Sequence, residues 1–281
     1  MGRTSAKQIK RRVFYRPDLV FRQVRQKVNR IHVGNERIDY LTFVPDGEPT
    51  LDINLGTEIS LMKQIGIPIA VITNSSLIDH DDVRRDLSGA DLVSLKIDSV
   101  NESVWKRVNR PHGDLRLPRI LEGIMDFVAN YEGTVISETM LVDGLDYRDD
   151  SVQLADFLKS LKKLDKAFIA IPTRPPTEKR VRPPAEQTLN SIYQILSNKL
   201  GPTKVEYLIG YEGNAFSSTG NPRRDLLSIT AVHPMRHDAV EQFLKNTNSD
   251  WTLIKKLMQE QELIELEYEG GIFYLRKLLR A

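Results

Sequence analysis

The sequence predicts an α/β protein: a barrel or half-barrel of parallel strands followed by a small C-terminal module. Three observations lead there. Apolar, β-branched runs alternate with amphipathic segments at intervals of about 30 residues, which calls for parallel strands joined by right-handed helical crossovers. The runs end in polar residues that a buried sheet does not need, namely Glu48, Asn74, Asp98, Glu138 and Arg174. In a barrel such ends share one face, where chemistry is found. No glycine-rich phosphate loop of either common type follows a strand, which argues against a flat nucleotide-binding sheet.

A helix is expected over 17–30, with Pro17 in its first turn and Val20, Val24, Val28 and Ile31 on one stripe. The run 38–44 reads as a buried strand that stops at Pro45. Gly47-Glu48-Pro49 makes the turn beyond it and leads into a helix over 55–64. Further strands are expected at 68–74, 91–98, 134–142 and 166–172, and helices at 79–87, 102–108, 117–131, 151–164 and 185–200. Strand 68–74 runs into Asn74, Ser75 and Ser76, and strand 91–98 ends in Lys96 and Asp98. Glu138 falls inside its strand, where a carboxylate is costly unless it is paired or points into a site. Asn109-Arg110-Pro111-His112 is a turn carrying a cation and an imidazole, and 173–184 is a proline-rich basic loop with Arg174 and Arg182.

Residues 1–210 are therefore expected to form the barrel, 211–226 a loop-like linker and 227–281 the small module. In the module, helices at 235–246 and 251–261 precede two strands, 263–268 and 272–275, that flank the hairpin signal Glu269-Gly270-Gly271. Helix, helix, hairpin is the order of a winged helix. Glu260, Glu262, Glu265, Glu267 and Glu269 suit duplex DNA poorly, so a packing or lid role is expected.

With 281 residues, 40% hydrophobic and 28% charged, the composition is that of a globular chain. The net charge of +2 hides an asymmetry: residues 1–30 sum to +9 and the remainder to −7. Such a basic stripe could meet a phosphate backbone, or simply face water or an acidic partner. No apolar run of ~20 residues predicts a membrane span, and no apolar N-terminal segment predicts a signal peptide. The expected location is cytoplasmic. The chain has no cysteine, which removes disulfides, thiolate metal sites and cysteine nucleophiles. Only His233 and His237 of the five histidines are closely spaced, so no metal site is expected in this chain.

Phe43-Val44-Pro45-Asp46-Gly47-Glu48-Pro49-Thr50-Leu51, Ile72-Thr73-Asn74-Ser75-Ser76-Leu77, Leu95-Lys96-Ile97-Asp98, Val108-Asn109-Arg110-Pro111-His112 and the segment from Glu138 to Gly144, taken together and in this order, resemble radical S-adenosylmethionine (SAM) proteins. The closest likeness is to the iron–sulfur oxidoreductase branch related to the wybutosine-forming tRNA enzymes, over about the first 200 residues. The resemblance implies a partial (β/α)6 TIM-like barrel and a [4Fe–4S] cluster held on a Cys-x-x-x-Cys-x-x-Cys loop after the first strand. It also implies reductive cleavage of SAM to a 5′-deoxyadenosyl radical, with an electron donor such as ferredoxin or flavodoxin.

On the same basis Gly47, Glu48 and Pro49 would contact the methionine amine, and Asn74 and Ser75 would lie near the ribose or the methionine carboxylate. Asp98 would complete the cofactor set. Lys96, Arg110, His112, Glu138 and Arg174 would be substrate contacts, the substrate being unnamed but compatible with RNA or a nucleotide. Asp46 departs from the Gly or Ser of many members. Met1-Gly2-Arg3-Thr4 matches the pattern that follows the third cysteine, so the first strand and the cluster loop are expected just upstream of Met1. An alternative is a cluster-less RNA-binding protein using the basic N-terminus and the winged helix. A further one is a hydrolytic barrel with Glu48 and Glu138 as an acid–base pair.

Overall fold

A computed structural model describes residues 7–33, 37–44, 47–176, 178, 181–208, 216, 218–232 and 234–277. The readings at Met1 to Thr4, Pro45, Asp46, His233 and most of 209–217 lie outside the described residues. The chain divides into two compact units. The first comprises Met1–Gln23, Ile38–Pro172 and Thr177–Ile209; the second comprises Val24–Arg37, Thr173–Pro176 and Gly210–Ala281.

In the first unit, six strands form one sheet in the order of the sequence: β1 (Leu41–Phe43), β2 (Ile69–Thr73), β3 (Leu92–Lys96), β4 (Thr134–Met140), β5 (Leu164–Ala170) and β6 (Val205–Leu208). Every neighbouring pair is parallel. The strand order never reverses, which is the arrangement of a barrel arc and not of a doubly wound sheet. The expected partial TIM-like barrel is therefore what the chain forms. Five strands fall where the apolar runs place them; the sixth was not foreseen. β6 is four residues long and only Val205 is buried, so no apolar run announces it.

The crossovers are helical: α2 (Leu55–Lys63), α3 (Asp81–Leu87), α4 (Glu102–Asn109) and α5 (Leu117–Asn130), α6 (Arg148–Ser160), and α7 (Glu186–Leu200). They follow α1 (Pro17–Val33), which opens at the expected proline. The core sits where strand residues Ile69, Val71, Val93, Leu95, Val135 and Ile169 lose all contact with solvent. Side chains inward on both faces of a parallel strand account for the continuous apolar runs. Gly123 in α5 lets that helix close on a neighbouring loop: a Cβ there would stand 2.7 Å from the Ile78 carbonyl oxygen and 2.8 Å from Asp79 Cα.

The second unit carries α8 (Pro222–Val232), β7 (Met235–Arg236), α9 (His237–Asn246), α10 (Trp251–Gln259), β8 (Leu263–Tyr268) and β9 (Gly271–Arg276). Its antiparallel sheet runs β7-β9-β8. Leu226, Met235, Val240, Phe243, Leu257 and Tyr274 are central to its core. The hairpin signal was read correctly: Glu269 and Gly270, at φ 47° and 70°, make a two-residue turn of the primed kind. α8 begins inside the stretch expected as linker, because Pro222 opens a helix as well as it continues a loop.

Gly123→Ala tests the close approach of α5. Alanine gains about 1 kcal/mol of helix propensity, but contacts this short against backbone cannot relax cheaply and overpacking costs about 1–3 kcal/mol. The clash wins, and thermal unfolding is expected ~3–6 °C below the parent, at about 2–4 °C per kcal/mol for a chain of this size.

Candidate functional site

The C-terminal strand ends hold two polar clusters. The first is built around Glu48, which caps the 3-10 turn Pro49–Leu51, with Pro49 in its opening position. Its Oε1 accepts the Thr50 amide at 3.2 Å, the Thr50 hydroxyl at 2.9 Å and the Thr73 hydroxyl at 2.5 Å. Its Oε2 accepts one bond, from the Asn74 amide at 2.7 Å. Thr73 Oγ1 in turn accepts the Ser75 amide at 3.0 Å, which leaves the threonine proton free for the carboxylate. Burial pushes the Glu48 pKa up, and the bonds from Thr73, Asn74 and Thr50 oppose it.

Two neighbours of Glu48 are unusual. Ser75 is buried, sits at φ 62° in the left-handed region, and its Oγ has no hydrogen-bond partner among the described residues. Gly47 is exposed at φ 137°, and a Cβ there would meet nothing within 4 Å. Asn74 spends its Oδ1 on the Ser76 amide at 2.9 Å.

The second cluster joins β3 to β4. Lys96 pairs in register with Glu138, and its Nζ lies 3.3 Å from Glu138 Oε1 and 3.1 Å from Asp98 Oδ1. The Asp98 side chain has no solvent exposure; it also accepts the Met140 amide at 2.7 Å and Asn109 Nδ2 at 2.6 Å. Burial alone would lower the Lys96 pKa, but the Asp98 and Glu138 charges outweigh it and raise it, so the ammonium persists at neutral pH. Glu138 therefore answers the cost of its mid-strand position by pairing. Glu48 and Glu138 have separate sets of partners.

Other residues singled out in the sequence have contacts of their own. Arg110 is the left-handed C-cap of α4, at φ 48°, and its guanidinium pairs with Glu178. His112 Nδ1 accepts the Asp114 amide at 3.2 Å. The Arg182 carbonyl accepts the Asp143 amide at 2.9 Å. Arg174 belongs to the second unit.

Sequence reading missed three residues that the structure ties to the clusters: Thr73 and Asn109, which hold Glu48 and Asp98, and Arg11. Thr73 carried a signal in retrospect, as a polar residue ending an apolar strand. Arg11 carried none beyond its place in a basic run, yet it is nearly buried. It donates through Nε to the Thr50 carbonyl and through Nη2 to the Asp52 carbonyl, each at 2.9 Å, and pairs with Asp82 and Asp86.

No cysteine is present, and among the described residues no group of three or more histidines and carboxylates could hold a metal ion. An iron–sulfur cluster does not fit the residues of this chain. Around Glu48 the groups left open are Oε2, which accepts a single amide, the buried Ser75 hydroxyl with no partner among the described residues, and the space at Gly47, a set of a kind that a polar cofactor could use. Among the described residues no helix is long and apolar enough to cross a membrane.

A parallel barrel arc with its polar groups gathered at the strand ends is the frame of radical SAM proteins, and the model of the Radical SAM superfamily matches residues 5–158. The chain belongs to that superfamily. It is 44% identical over 279 residues to a UPF0026 protein of Methanocaldococcus jannaschii, a match covering 99% of this chain and 86% of that protein. A UPF0026 protein of Synechocystis sp. is 34% identical over 139 residues, 49% of this chain and 52% of the other. Among solved structures, TYW1 with a lysine-pyruvate adduct bound superposes with a TM-score of 0.52 at 15% identity, over 68% of this chain and 65% of that one. A radical SAM methyltransferase from Sphaerobacter thermophilus gives 0.51 at 18% identity, over 69% and 58%. These two likenesses establish the fold.

Beside the first cluster, Glu58 of α2 is buried, has no partner for Oε1, and is raised to about 7 by burial and by the charge of Asp52. A carboxyl whose folded pKa exceeds its unfolded value of 4.5 holds a proton in the native state that the unfolded state has already released. Its contribution is full below about 4.5 and is lost as pH rises towards 7. Glu58→Gln is therefore expected to leave stability unchanged near pH 4.5 and to raise it by ~1–3 kcal/mol at pH 8, read by urea denaturation at both pH values.

Proposed function

We propose that this chain is the SAM-binding part of a radical SAM enzyme, with Glu48 as the acceptor for the methionine ammonium group. The observation that carries this reading is the strand-end carboxylate whose Oε1 is filled by protein donors while Oε2 accepts a single amide. An ammonium group brought to Oε2 would form a charge-assisted hydrogen bond, the stronger class. Ser75 Oγ offers a further polar contact at no additional desolvation cost, since it is already buried and unpartnered. Gly47 and Pro49 would shape the approach, and Asn74 would lie beside the ribose or carboxylate. Asp98, with its donors already in place, would act by fixing Lys96.

Lys96 and Glu138, each about a quarter exposed, are the residues of the second cluster with a side left for a substrate, and Arg110 and His112 would be further contacts in the same unit. When bound, SAM supplies the sulfonium whose reductive cleavage generates a 5′-deoxyadenosyl radical for hydrogen abstraction. That reaction would require the cluster and an electron donor such as ferredoxin or flavodoxin, neither of which this chain's residues provide. This chain contains no cysteine, so the thiolates that would hold such a cluster are not among its residues.

We assign the C-terminal unit to a winged-helix module, on its order of helix, strand, two helices and hairpin with β7 beside β9. Its role would be to pack or to cover.

Two measurements test the reading. Isothermal titration with SAM is expected to show one site in the wild-type chain and at least tenfold weaker binding in Glu48→Gln, because a buried charge-assisted bond contributes about 1.5–3 kcal/mol. Equal affinity of the two proteins would refute the role of Glu48. Reconstitution with iron and sulfide is expected to give no charge-transfer absorbance in this chain, which has no cysteine to hold a cluster. Stoichiometric cluster uptake by this chain would overturn the reading that its residues hold no cluster.

A further inference from the structure

The segment 7–16 lies along the turn that presents Glu48. The Arg12 amide donates to the Leu51 carbonyl at 2.9 Å, the Ile53 amide returns to the Arg12 carbonyl at 3.0 Å, and Arg12 and Asp52 form a parallel bridge. The Phe14 amide reaches Asp52 Oδ2 at 3.3 Å, and Asn54 Nδ2 donates to the Tyr15 carbonyl at 3.2 Å. Arg11 anchors this arrangement from below: its planar fork spans the carbonyls of Thr50 and Asp52 and the carboxylates of Asp82 and Asp86. Room for the Asp86 carboxylate comes from Gly56, where a Cβ would stand 2.5 Å from Asp86 Oδ1.

Thr50 is the link to the site. Its carbonyl is held by Arg11, while its amide and hydroxyl hold Glu48 Oε1. Thr50 is itself buried, with 1% exposure, so it cannot shift without dragging the carboxylate. Asp52 continues the chain of contacts, since its Oδ1 accepts the Asn54 amide at 2.8 Å while its carbonyl is tied to Arg11.

We propose that Arg11 is a positioning residue: by clamping the Thr50 and Asp52 carbonyls it fixes the direction in which the Glu48 carboxylate presents Oε2. The inference rests on the reading of Glu48 as the ammonium acceptor. It also gives the basic N-terminal run a role other than meeting a polyanion, for this one member of it. Arg12, exposed and stacked on the Phe14 ring at 4.6 Å, touches neither carbonyl and serves as the control.

The test compares Arg11→Gln, Arg11→Lys, Arg12→Gln and Glu48→Gln with the wild type, and combines Arg11→Gln with Glu48→Gln. SAM affinity is expected to fall about tenfold in Arg11→Gln and less in Arg11→Lys, whose single ammonium cannot span four acceptors. Arg12→Gln should bind as the wild type does. In the Glu48→Gln background Arg11→Gln should cost less than twofold more, because its effect passes through the carboxylate; two losses that multiply in full would reduce Arg11 to a general stabiliser and overturn the proposal.

Amide hydrogen exchange, which needs no ligand, separates this inference from the reading it rests on. Exchange at Thr50 and Asn74 should quicken in Arg11→Gln, or in Arg11→Lys if the glutamine variant fails to fold. Unchanged exchange there sinks the positioning role even if SAM binds. Quickened exchange in a protein whose wild type binds no SAM leaves the clamp standing and removes the assignment of Glu48.

Discussion

A carboxylate at the end of a buried strand must be given donors in place of the water it loses, and around Glu48 this requirement draws separate pieces of chain together. Thr50 supplies two bonds from the turn, and Thr73 and Asn74 supply two from the end of β2. The sheet needs such a tie here. β1 is an edge strand of only three residues, too short for its ladder and side chains to fix the turn beyond it. Polar contacts therefore do at this edge what apolar packing does in the middle of the sheet. Arg11 extends the same network to segment 7–16 and α3, so the outer part of the first unit is ordered around one carboxylate.

Between β3 and β4 the requirement is met by opposite charge. At an effective dielectric near 20, an ammonium about 4 Å from a carboxylate gains ~4 kcal/mol, and Lys96 has two such partners. That is enough for the two charges to outweigh burial and raise the Lys96 pKa. The two carboxylates are not equivalent. Asp98 is sealed and spends both oxygens on donors, whereas Glu138 and Lys96 keep a side towards solvent. The distinction sorts the polar strand-end residues by availability. Those whose capacity is spent hold the frame, and those with capacity left can meet a ligand.

The same distinction marks how far the sequence could be read. Strands β2 to β5 were legible because parallel strands inside the sheet are written as apolar, β-branched runs. β1, an edge strand with no buried residue, was legible from its short apolar run and the Gly-Glu-Pro turn that follows it, although it is not the buried strand expected. β6 was not, because an edge strand with one buried residue leaves no such run. Glu48, Lys96, Asp98 and Glu138 stood out as charges that a buried strand end has to explain. What composition could not supply was pairing. Arg11 counted as one positive charge among ten in the first 30 residues, yet its side chain is 9% exposed and wholly committed to acceptors that lie far along the chain. Glu58 was hidden for the converse reason: its helix position is ordinary, and only the fold brings it against Asp52.

Costs that a fold built for stability alone would shed are gathered beside Glu48. A non-glycine residue held in the left-handed region costs about 1–3 kcal/mol, and a buried hydroxyl without a partner costs about as much again; Ser75 carries both. A serine that merely closed a turn would turn its hydroxyl to water or to a carbonyl. This one is sealed in while its amide is pinned by Thr73, and Thr73 in turn holds Glu48. Strain, an idle donor and a carboxylate with one half-used oxygen thus meet at the junction of β1 and β2. A polar ligand with an ammonium group for the carboxylate and an acceptor for the hydroxyl would relieve the last two together. Local rules of stability are most often broken where a protein binds, and in the first unit they are broken beside the residue that the superfamily resemblance singles out for its cofactor.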